Sequence, residues 1–151
     1  MPFFEDIKVG QRRELGSFTF TAEDIKRFAK QFDPQRFHLD EEEGKKSLFG
    51  GLAASGWHLC SVMMRMMVDG FVGRSASLGS PGVNEVRWLA PMRPGDDLTL
   101  DIEVTEARVS RSRPETGIVT FKGVIRNAAG QALCEMVSPI IMGRRAAGQA
   151  G

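Results

Sequence analysis

The chain has 151 residues, which is enough for one domain with a single hydrophobic core. Its composition, with 42% hydrophobic and 26% charged residues, is that of an ordinary globular protein. A formal net charge of +1 gives no reason to expect nucleic acid or an acidic membrane as a partner.

The N-terminal segment predicts a strand, and we expect no export signal in it. Residues 1–10 (MPFFEDIKVG) lack a basic segment followed by an apolar one. The longest apolar run, residues 62–68, contains Arg65 and is too short to span a bilayer. We therefore expect a cytoplasmic protein without a membrane partner. The first strand is predicted around residues 14–20 (ELGSFTF).

An amphipathic helix is predicted directly after this strand. Thr21, with Asp24 three residues later, forms a capping-box pattern. Apolar residues then recur at helical spacing as far as Phe32. The helix should end there because Asp33 precedes Pro34, and a residue before proline avoids helical geometry.

The middle of the chain predicts a long loop and a second helix. Residues 33–54 contain an acidic run and a glycine-rich stretch and are interpreted as a loop. The second helix is predicted from Ser55, as its N-cap, to Gly70. It is apolar almost all round, with Arg65 and Asp69 as exceptions, so most of its surface should be buried.

The second half of the chain changes to the period of β-strands. Turn sequences separate four apolar segments, at residues 86–90, 98–104, 119–125 and 132–142. One strand, two helices and then a run of antiparallel strands is an α+β pattern. A long apolar helix lying across a strongly curved antiparallel sheet would satisfy it. We predict a single domain over residues 1–143 and a flexible tail over residues 144–151.

The two cysteines predict neither a metal site nor a disulfide framework. Cys60 and Cys134 are far apart in the sequence and have no metal-type spacing. Cys60 lies in a strongly apolar run, which favours a buried and reduced thiol.

The first candidate for chemistry is the pair formed by Asp33 and His38. A carboxylate and an imidazole separated by a short irregular loop can converge on one water molecule. The carboxylate is ionised near neutral pH and the pKa of an imidazole lies close to neutral, so one group could act as general base toward the water while the other delivers or takes a second proton. The alternative is that Asp33 only ends a helix and that His38 packs as a polar loop residue.

The second candidate is Gly56, at the start of the predicted second helix. Backbone N–H groups in a first helical turn lack intrahelical partners and carry the positive end of the helix dipole. Such an N–H could stabilise negative charge on a thioester oxygen. The alternative is that Gly50, Gly51 and Gly56 only relieve packing at a tight junction.

Three further features have a structural and a functional interpretation. The methionine-rich residues 62–67 could form a groove for a long acyl chain, or simply core. The cluster of Arg108, Arg111 and Arg113 could meet substrate phosphates, or be a solvated turn. His58, on an otherwise apolar helix, is interpreted as a structural residue.

Two stretches of this chain resemble the MaoC-like dehydratases, which include the R-specific enoyl-CoA hydratases. The first is FDPQRFHLD…SLFGGLAASGW (residues 32–57), and the second is SPGVNEVRWLAPMRPGDDLTLDIEV (residues 80–104). The resemblance covers about residues 3–143. It implies a hot-dog fold, in which a curved antiparallel sheet wraps around a long, mostly buried central helix. It also implies a homodimer, or a higher oligomer built from dimers.

The resemblance further implies a function and a set of site residues. Asp33 and His38 match the catalytic pair in spacing, and Gly56 matches the glycine whose N–H binds the thioester oxygen. Substrate contacts are expected from Phe49, Gly51, Ser55, Trp57 and Arg111. The chain departs from the family pattern at Gln35 and Arg36, where Asn-Pro is typical, and at Ser55, where His is common.

The resulting hypothesis is an acyl-CoA hydratase or dehydratase that acts on the 2,3 double bond of an enoyl-CoA. No metal or redox cofactor is expected, because hydrating a conjugated double bond needs neither. CoA would enter as part of the substrate. Two alternatives remain open: a thioesterase on the same fold, and a non-catalytic acyl-CoA- or lipid-binding subunit.

Overall fold

The described residues form one six-stranded antiparallel sheet and four α-helices. The structure is a computed structural model, and it describes residues 1–148. The strands are β1 (Arg12–Thr19), β2 (Ser77–Gly79), β3 (Glu85–Trp88), β4 (Asp97–Val109), β5 (Thr116–Arg126) and β6 (Ala132–Gly143). The helices are α1 (Ala22–Phe32), α2 (Arg36–Leu39), α3 (Glu41–Lys46) and α4 (Gly56–Gly70).

The sheet order places the long strands in the middle. β4, β5 and β6 form a meander, β1 pairs with β4, and both β2 and β3 pair with β6 at the other edge. Alternate residues of β4 are buried, as the period-2 pattern predicts: Leu98, Leu100, Ile102 and Val104. Together with α4, this sheet confirms the predicted α+β class and hot-dog fold.

One face of helix α4 packs against the sheet, and the side chains of both form the hydrophobic core. Its buried residues are His58, Leu59, Cys60, Val62, Met63 and Met66. Gly123 on β5 leaves room for this packing, because a Cβ there would meet the Met63 side chain at 3.2 Å. On the opposite face Trp57 and Met64 remain exposed in the single chain, so burial is less complete than the apolar composition predicts.

Helix α1 begins and ends as its sequence predicts. The Thr21 hydroxyl accepts a hydrogen bond from the Asp24 N–H, and the Asp24 carboxylate accepts one from the Thr21 N–H, both at 3.1 Å. At the other end Asp33 leaves helical geometry with φ −150° while its N–H still donates to the carbonyl of Ala29.

Helices α2 and α3 correct the prediction of a loop over residues 33–54. Asp40 caps α3 by accepting a hydrogen bond from the Glu43 N–H at 3.0 Å. Acidic residues in its first turn and lysines in its last turn complement the helix dipole. Helices of four and six residues are too short to show a helical period in the sequence.

The residues directly after β6 contact a short 3-10 helix near the start of the chain, Phe4–Asp6. Arg144 pairs with Glu5 at 3.1 Å, and Arg145 pairs with Asp6 at 2.7 Å. Residues 149–151, the end of the predicted tail, lie outside the described residues. Among residues 1–148, no helix combines the length and the apolar character that crossing a membrane requires.

His58 has a structural environment on the side of α4 that faces α1. Its ring stacks on Phe28 with centroids 4.3 Å apart and meets the edge of Phe20 at 4.5 Å. Within residues 1–148, its buried Nδ1 has no hydrogen-bond partner. Burial lowers the pKa of His58 to about 4, so the ring is neutral at physiological pH.

This depressed pKa predicts a pH dependence of stability. As the pH falls from 6.5 to 4, the unfolded chain binds a proton at His58 before the folded chain does. The contribution of the neutral, buried ring to the free energy of unfolding is therefore present above pH 6.5 and is lost over this range. Between pH 7 and pH 4.5 the His58→Phe variant, which keeps an aromatic ring on Phe28, should lose about 2 kcal/mol less unfolding free energy than the wild type. Urea unfolding at the two pH values measures this, and equal losses would contradict the assignment.

Candidate active site

A cavity of about 420 Å³ opens at the N-terminal end of α4. Its walls come from the end of α1, from α2, from the first turn of α4 and from the segment after β3. The lining residues are Asp33, Gln35, Phe37, His38, Phe49, Ala54, Gly56, Trp57, Leu59, Trp88, Leu89, Ala90, Pro91 and Met92. The three predicted catalytic residues, Asp33, His38 and Gly56, therefore line one cavity, although up to 23 positions separate them in the sequence.

Asp33 and His38 come together because α1 ends where α2 begins. Pro34 ends α1, and the His38 N–H then donates to the Gln35 carbonyl at 3.0 Å inside the short α2 turn. His38 Nε2 lies 3.3 Å from Asp33 Oδ2. The imidazole is 4% exposed, whereas the carboxylate is open enough to reach the cavity.

The tautomer of His38 follows from its second ring nitrogen. Nδ1 lies 2.7 Å from the carbonyl oxygen of Ala53, which can only accept a hydrogen bond. The proton of the neutral ring is therefore assigned to Nδ1. Nε2 is left with a lone pair on the side of Asp33, which is the arrangement that a proton acceptor needs.

The environment of Asp33 favours its ionised form. Burial alone would raise the pKa of this carboxyl, but Ser55, Gln35 and the neighbouring His38 outweigh it and hold the pKa below its ordinary value. The Gln35 amide donates to Oδ1 at 2.7 Å. The buried Ser55 hydroxyl has no hydrogen-bond partner of good geometry within residues 1–148, but it lies close enough to Asp33 to contribute to the lowered pKa.

Gly56 places a free backbone N–H on the cavity wall. It is the first residue of α4, and within residues 1–148 its N–H donates to no protein acceptor. The indole of Trp88 packs where a side chain at position 56 would begin, so a Cβ there would overlap the ring. Trp57 meets Trp88 edge to face with centroids 5.3 Å apart. Only glycine fits this approach of a strand residue to the helix N-terminus.

The predicted substrate contacts divide into two groups. Phe49 and Trp57 line the cavity, and Ser55 is buried directly behind it beside Asp33. Gly51 faces Arg93 instead, and Arg111 lies in the turn between β4 and β5, so neither lines the cavity in this chain.

Sequence reasoning missed two residues that shape the site. Trp88 was interpreted only as part of an alternating strand, and nothing in that period indicates that its ring would cover Gly56. Gln35, noted only as a departure from the family pattern, is the amide that donates to Asp33. Its position two residues after the carboxylate, in a turn, is the one local signal that indicated such a contact.

Cys60 and Cys134 meet behind Trp88 although they are distant in the sequence. Both are buried free thiols, which confirms the prediction for Cys60. A hydrogen bond with Cys134 lowers the pKa of Cys60, and the same contact raises the pKa of Cys134. Among the described residues, no three His, Cys, Asp or Glu side chains group as a metal site requires.

A second cavity of about 440 Å³ lies further along α4. Most of its lining is apolar and comes from α4, β5, β6 and the segment around β2. Its residues include Met63, Met64, Met67, Val72, Leu100, Phe121, Gly123, Met136 and Ile140. The methionine-rich stretch therefore serves as core and also lines a cavity, since Met63 is buried and Met64 is exposed.

Comparison with known proteins agrees with this architecture. The fold superimposes on the MaoC-like dehydratase from Rhodospirillum rubrum with a TM-score of 0.89 at 40% identity, covering 95% of this chain and 98% of that one. The (R)-specific enoyl-CoA hydratase of Rhodospirillum rubrum is 31% identical over 152 residues, 95% of this chain and 93% of that protein. The uncharacterized protein YdeM of Bacillus subtilis is 32% identical over 117 residues, 77% of this chain and 81% of that protein.

The family itself is defined by a direct match. The profile described as "MaoC like domain" matches residues 6–124, a range that contains the cavity at the start of α4. With this match and these relatives, the chain belongs to the MaoC-like domain family, which includes R-specific enoyl-CoA hydratases.

Proposed function

We propose that the protein hydrates the 2,3 double bond of an enoyl-CoA thioester, and catalyses the reverse dehydration. The observation that carries the proposal is the meeting of His38 Nε2 and Asp33 Oδ2, 3.3 Å apart, on the same cavity wall as the free N–H of Gly56. The (R)-specific enoyl-CoA hydratase relative, at 31% identity, supports this reaction class.

In the proposed reaction, Gly56 polarises the substrate. Its N–H donates to the thioester carbonyl oxygen, where negative charge develops as water adds to the conjugated double bond. The positive end of the α4 dipole strengthens this contact. The carbonyl would lie beside Trp88, whose ring already excludes water from this side of Gly56.

The pair Asp33 and His38 moves the proton. His38 Nε2 takes a proton from a water molecule that lies in the cavity and is hydrogen-bonded to both side chains, and the water oxygen forms its bond to C3. Ionised Asp33 stabilises the imidazolium that results. His38 then returns the proton to C2, so that H and OH have been added and both residues regain their starting state. No oxidation state of a cofactor changes, so the proposal includes neither a metal nor a redox cofactor.

The second cavity is proposed to take the acyl chain of longer substrates. Gly56, Cys60, Met63 and Met67 lie on one face of α4, because they follow the helical spacing i, i+4, i+7 and i+11. At ~1.5 Å per residue, the second cavity begins roughly 10 Å along the helix from Gly56. Cys60 lies between Gly56 and Met63 on this face of the helix, so we propose that a long acyl chain passes close to it.

We also propose that two copies of the chain associate, as the family resemblance implies. Three large apolar residues have 49–60% of their surface exposed in the single chain: Trp57 and Met64 on α4 and Trp88 on β3. A partner that covers them would remove this apolar surface from water. Light scattering should give at least twice the mass of one chain, and the mass of a single chain would contradict the proposal.

Substitution of the proton-transfer pair tests the reaction. Asp33→Asn and His38→Ala should each lower kcat for crotonyl-CoA by about 10²- to 10⁴-fold, because each removes one partner of the water. The measurement is the loss of absorbance at the enoyl-thioester band. Asp69→Asn, in an exposed ion pair with Arg65 on α4, and His58→Phe are matched controls that should keep the wild-type rate.

Three results would contradict the proposal. Retention of full hydration by both Asp33→Asn and His38→Ala would overturn it. Release of free thiol from saturated acyl-CoA, with no hydration, would instead show a thioesterase. CoA-ester binding without either turnover would show a binding subunit.

A filled second cavity should change the preference for chain length. Met136→Trp adds volume on the β6 wall of this cavity, away from Asp33 and His38. We expect kcat/KM for dodecenoyl-CoA to fall by about 10- to 200-fold while that for crotonyl-CoA stays within about a factor of 2. Met136→Leu, which conserves volume, is the control. Equal effects on both substrates would show that the chain takes another path.

A further inference from the structure

Arg93, in the segment between β3 and β4, lies behind the active-site wall and does not line the cavity. We propose that it is a positioning residue, which holds the backbone of residues 49–54 so that the Ala53 carbonyl fixes the tautomer and orientation of His38. The effect on the tautomer is independent of the reaction, whereas the effect on turnover rests on the proposed function.

The guanidinium of Arg93 reaches two carbonyls of the same segment. It donates to the carbonyl of Phe49 and, at 3.4 Å, to the carbonyl of Leu52. The planar, forked donor set of arginine suits two acceptors at once, which a single ammonium group does not match. Among residues 1–148, Arg93 forms no ion pair within 4.0 Å, so its donors are directed to this backbone.

Arg93 is itself held in place. Its backbone N–H donates to the Asp96 carboxylate at 2.9 Å, and the Asp96 N–H donates back to the Arg93 carbonyl at 3.2 Å. This closed turn precedes β4, a central strand of the sheet. The side chain therefore extends from a rigid base toward residues 49–52.

The segment that Arg93 binds carries the acceptor for His38. Leu52 and Ala54 flank Ala53, and the peptide groups before and after Ala53 are each hydrogen-bonded to the segment 92–93. The Leu52 carbonyl, in the peptide before Ala53, accepts from Arg93, and the Ala54 N–H, in the peptide after it, donates to the Met92 carbonyl at 3.0 Å. The carbonyl of Ala53 belongs to this second peptide and meets His38 Nδ1 at 2.7 Å. Arg93 therefore holds the peptide next to the one that faces the imidazole, and Met92 holds the facing peptide itself.

Two glycines leave the space in which Arg93 binds residues 49–52. A Cβ at Gly51 would lie 2.9 Å from Arg93 Nη1, so a side chain there would displace the guanidinium. On the other side, a Cβ at Gly44 of α3 would lie 2.6 Å from the backbone of Gly51. The structure therefore gives Gly51 a different role from the predicted substrate contact: it leaves space for Arg93 behind the site.

Loss of Arg93 should loosen the peptide that joins Leu52 to Ala53 and, through it, the orientation of the Ala53 carbonyl and the tautomer of His38. The chain has only two histidines, so a protein labelled with ¹⁵N-histidine gives the signals of two imidazoles. His58→Phe assigns them by removing one. In the wild type the His38 signals should show a proton on Nδ1 and none on Nε2. In Arg93→Met they should shift toward a mixture of the two tautomers.

The kinetic counterpart separates positioning from stability. We expect Arg93→Met to lower kcat for crotonyl-CoA by about 10- to 100-fold with KM changed by less than about threefold, because the imidazole is misplaced while the substrate cavity remains. Arg93→Lys, which can still donate to one carbonyl, should recover part of the rate and of the wild-type tautomer.

Arg126→Met is the matched control. Its guanidinium also donates to a backbone carbonyl, that of Gly130 at 3.2 Å, but in the turn between β5 and β6. It should leave the tautomer and kcat unchanged. If Arg93→Met does not fold, the ¹⁵N signals of His38 in Arg93→Lys test the inference instead, and they should lie between those of the wild type and those of a mixture of tautomers.

A wild-type tautomer of His38 in the folded Arg93 variant, or an equal change in Arg126→Met, would overturn the inference. If the wild type hydrates no enoyl-CoA, the proposed function fails, but the tautomer measurement still decides the role of Arg93.

Discussion

The hydrogen bond between His38 and the carbonyl of Ala53 is the contact on which the site depends. At 2.7 Å it joins the short α2 turn to the segment that leads into α4. The two segments carry different parts of the proposed machinery, the imidazole on one and the Gly56 N–H on the other. A single backbone acceptor therefore sets the tautomer of the base and its distance from the helix N-terminus.

The two histidines show how environment decides function for one side-chain type. His38 has an acceptor at Nδ1 and a carboxylate at Nε2, so each ring nitrogen has a defined chemical task. His58 has aromatic rings on two sides, and burial lowers its pKa to about 4. A ring that stays neutral and has no acid partner contributes packing. Proximity to Gly56 in the sequence did not make His58 part of the site, because it lies on another face of α4.

Local signals account for the parts of the fold that the sequence predicts well. The capping box at Thr21, the end of α1 before Pro34 and the alternation in β4 each depend on neighbours within a few positions. Pairing of Asp33 with His38 was predictable for the same reason, since one turn separates them. Family resemblance was still needed to favour a functional over a packing interpretation of Gly56.

The remainder depends on contacts between distant segments. Trp88 covers Gly56 only because β3 pairs with β6 in the register that sets Trp88 opposite Cys134. Arg93 reaches Phe49 only because the turn before β4 lies behind the cavity. No period or spacing encodes either contact. The proximity of Gly51 to Arg93 could not be predicted for the same reason, because the two residues are 42 positions apart in the sequence.

Helix α4 finally explains why one short domain can combine polar chemistry with apolar binding. Its first turn presents an unpaired N–H and a dipole end to the first cavity, and later turns present methionines to the second. Electrostatic stabilisation falls off within the first turn, whereas apolar contact continues along the whole face. In the proposed reaction, the charged steps are therefore confined to one end of the helix. Under the same proposal, flexible methionines further along would adapt to acyl groups of different shape without disturbing that end.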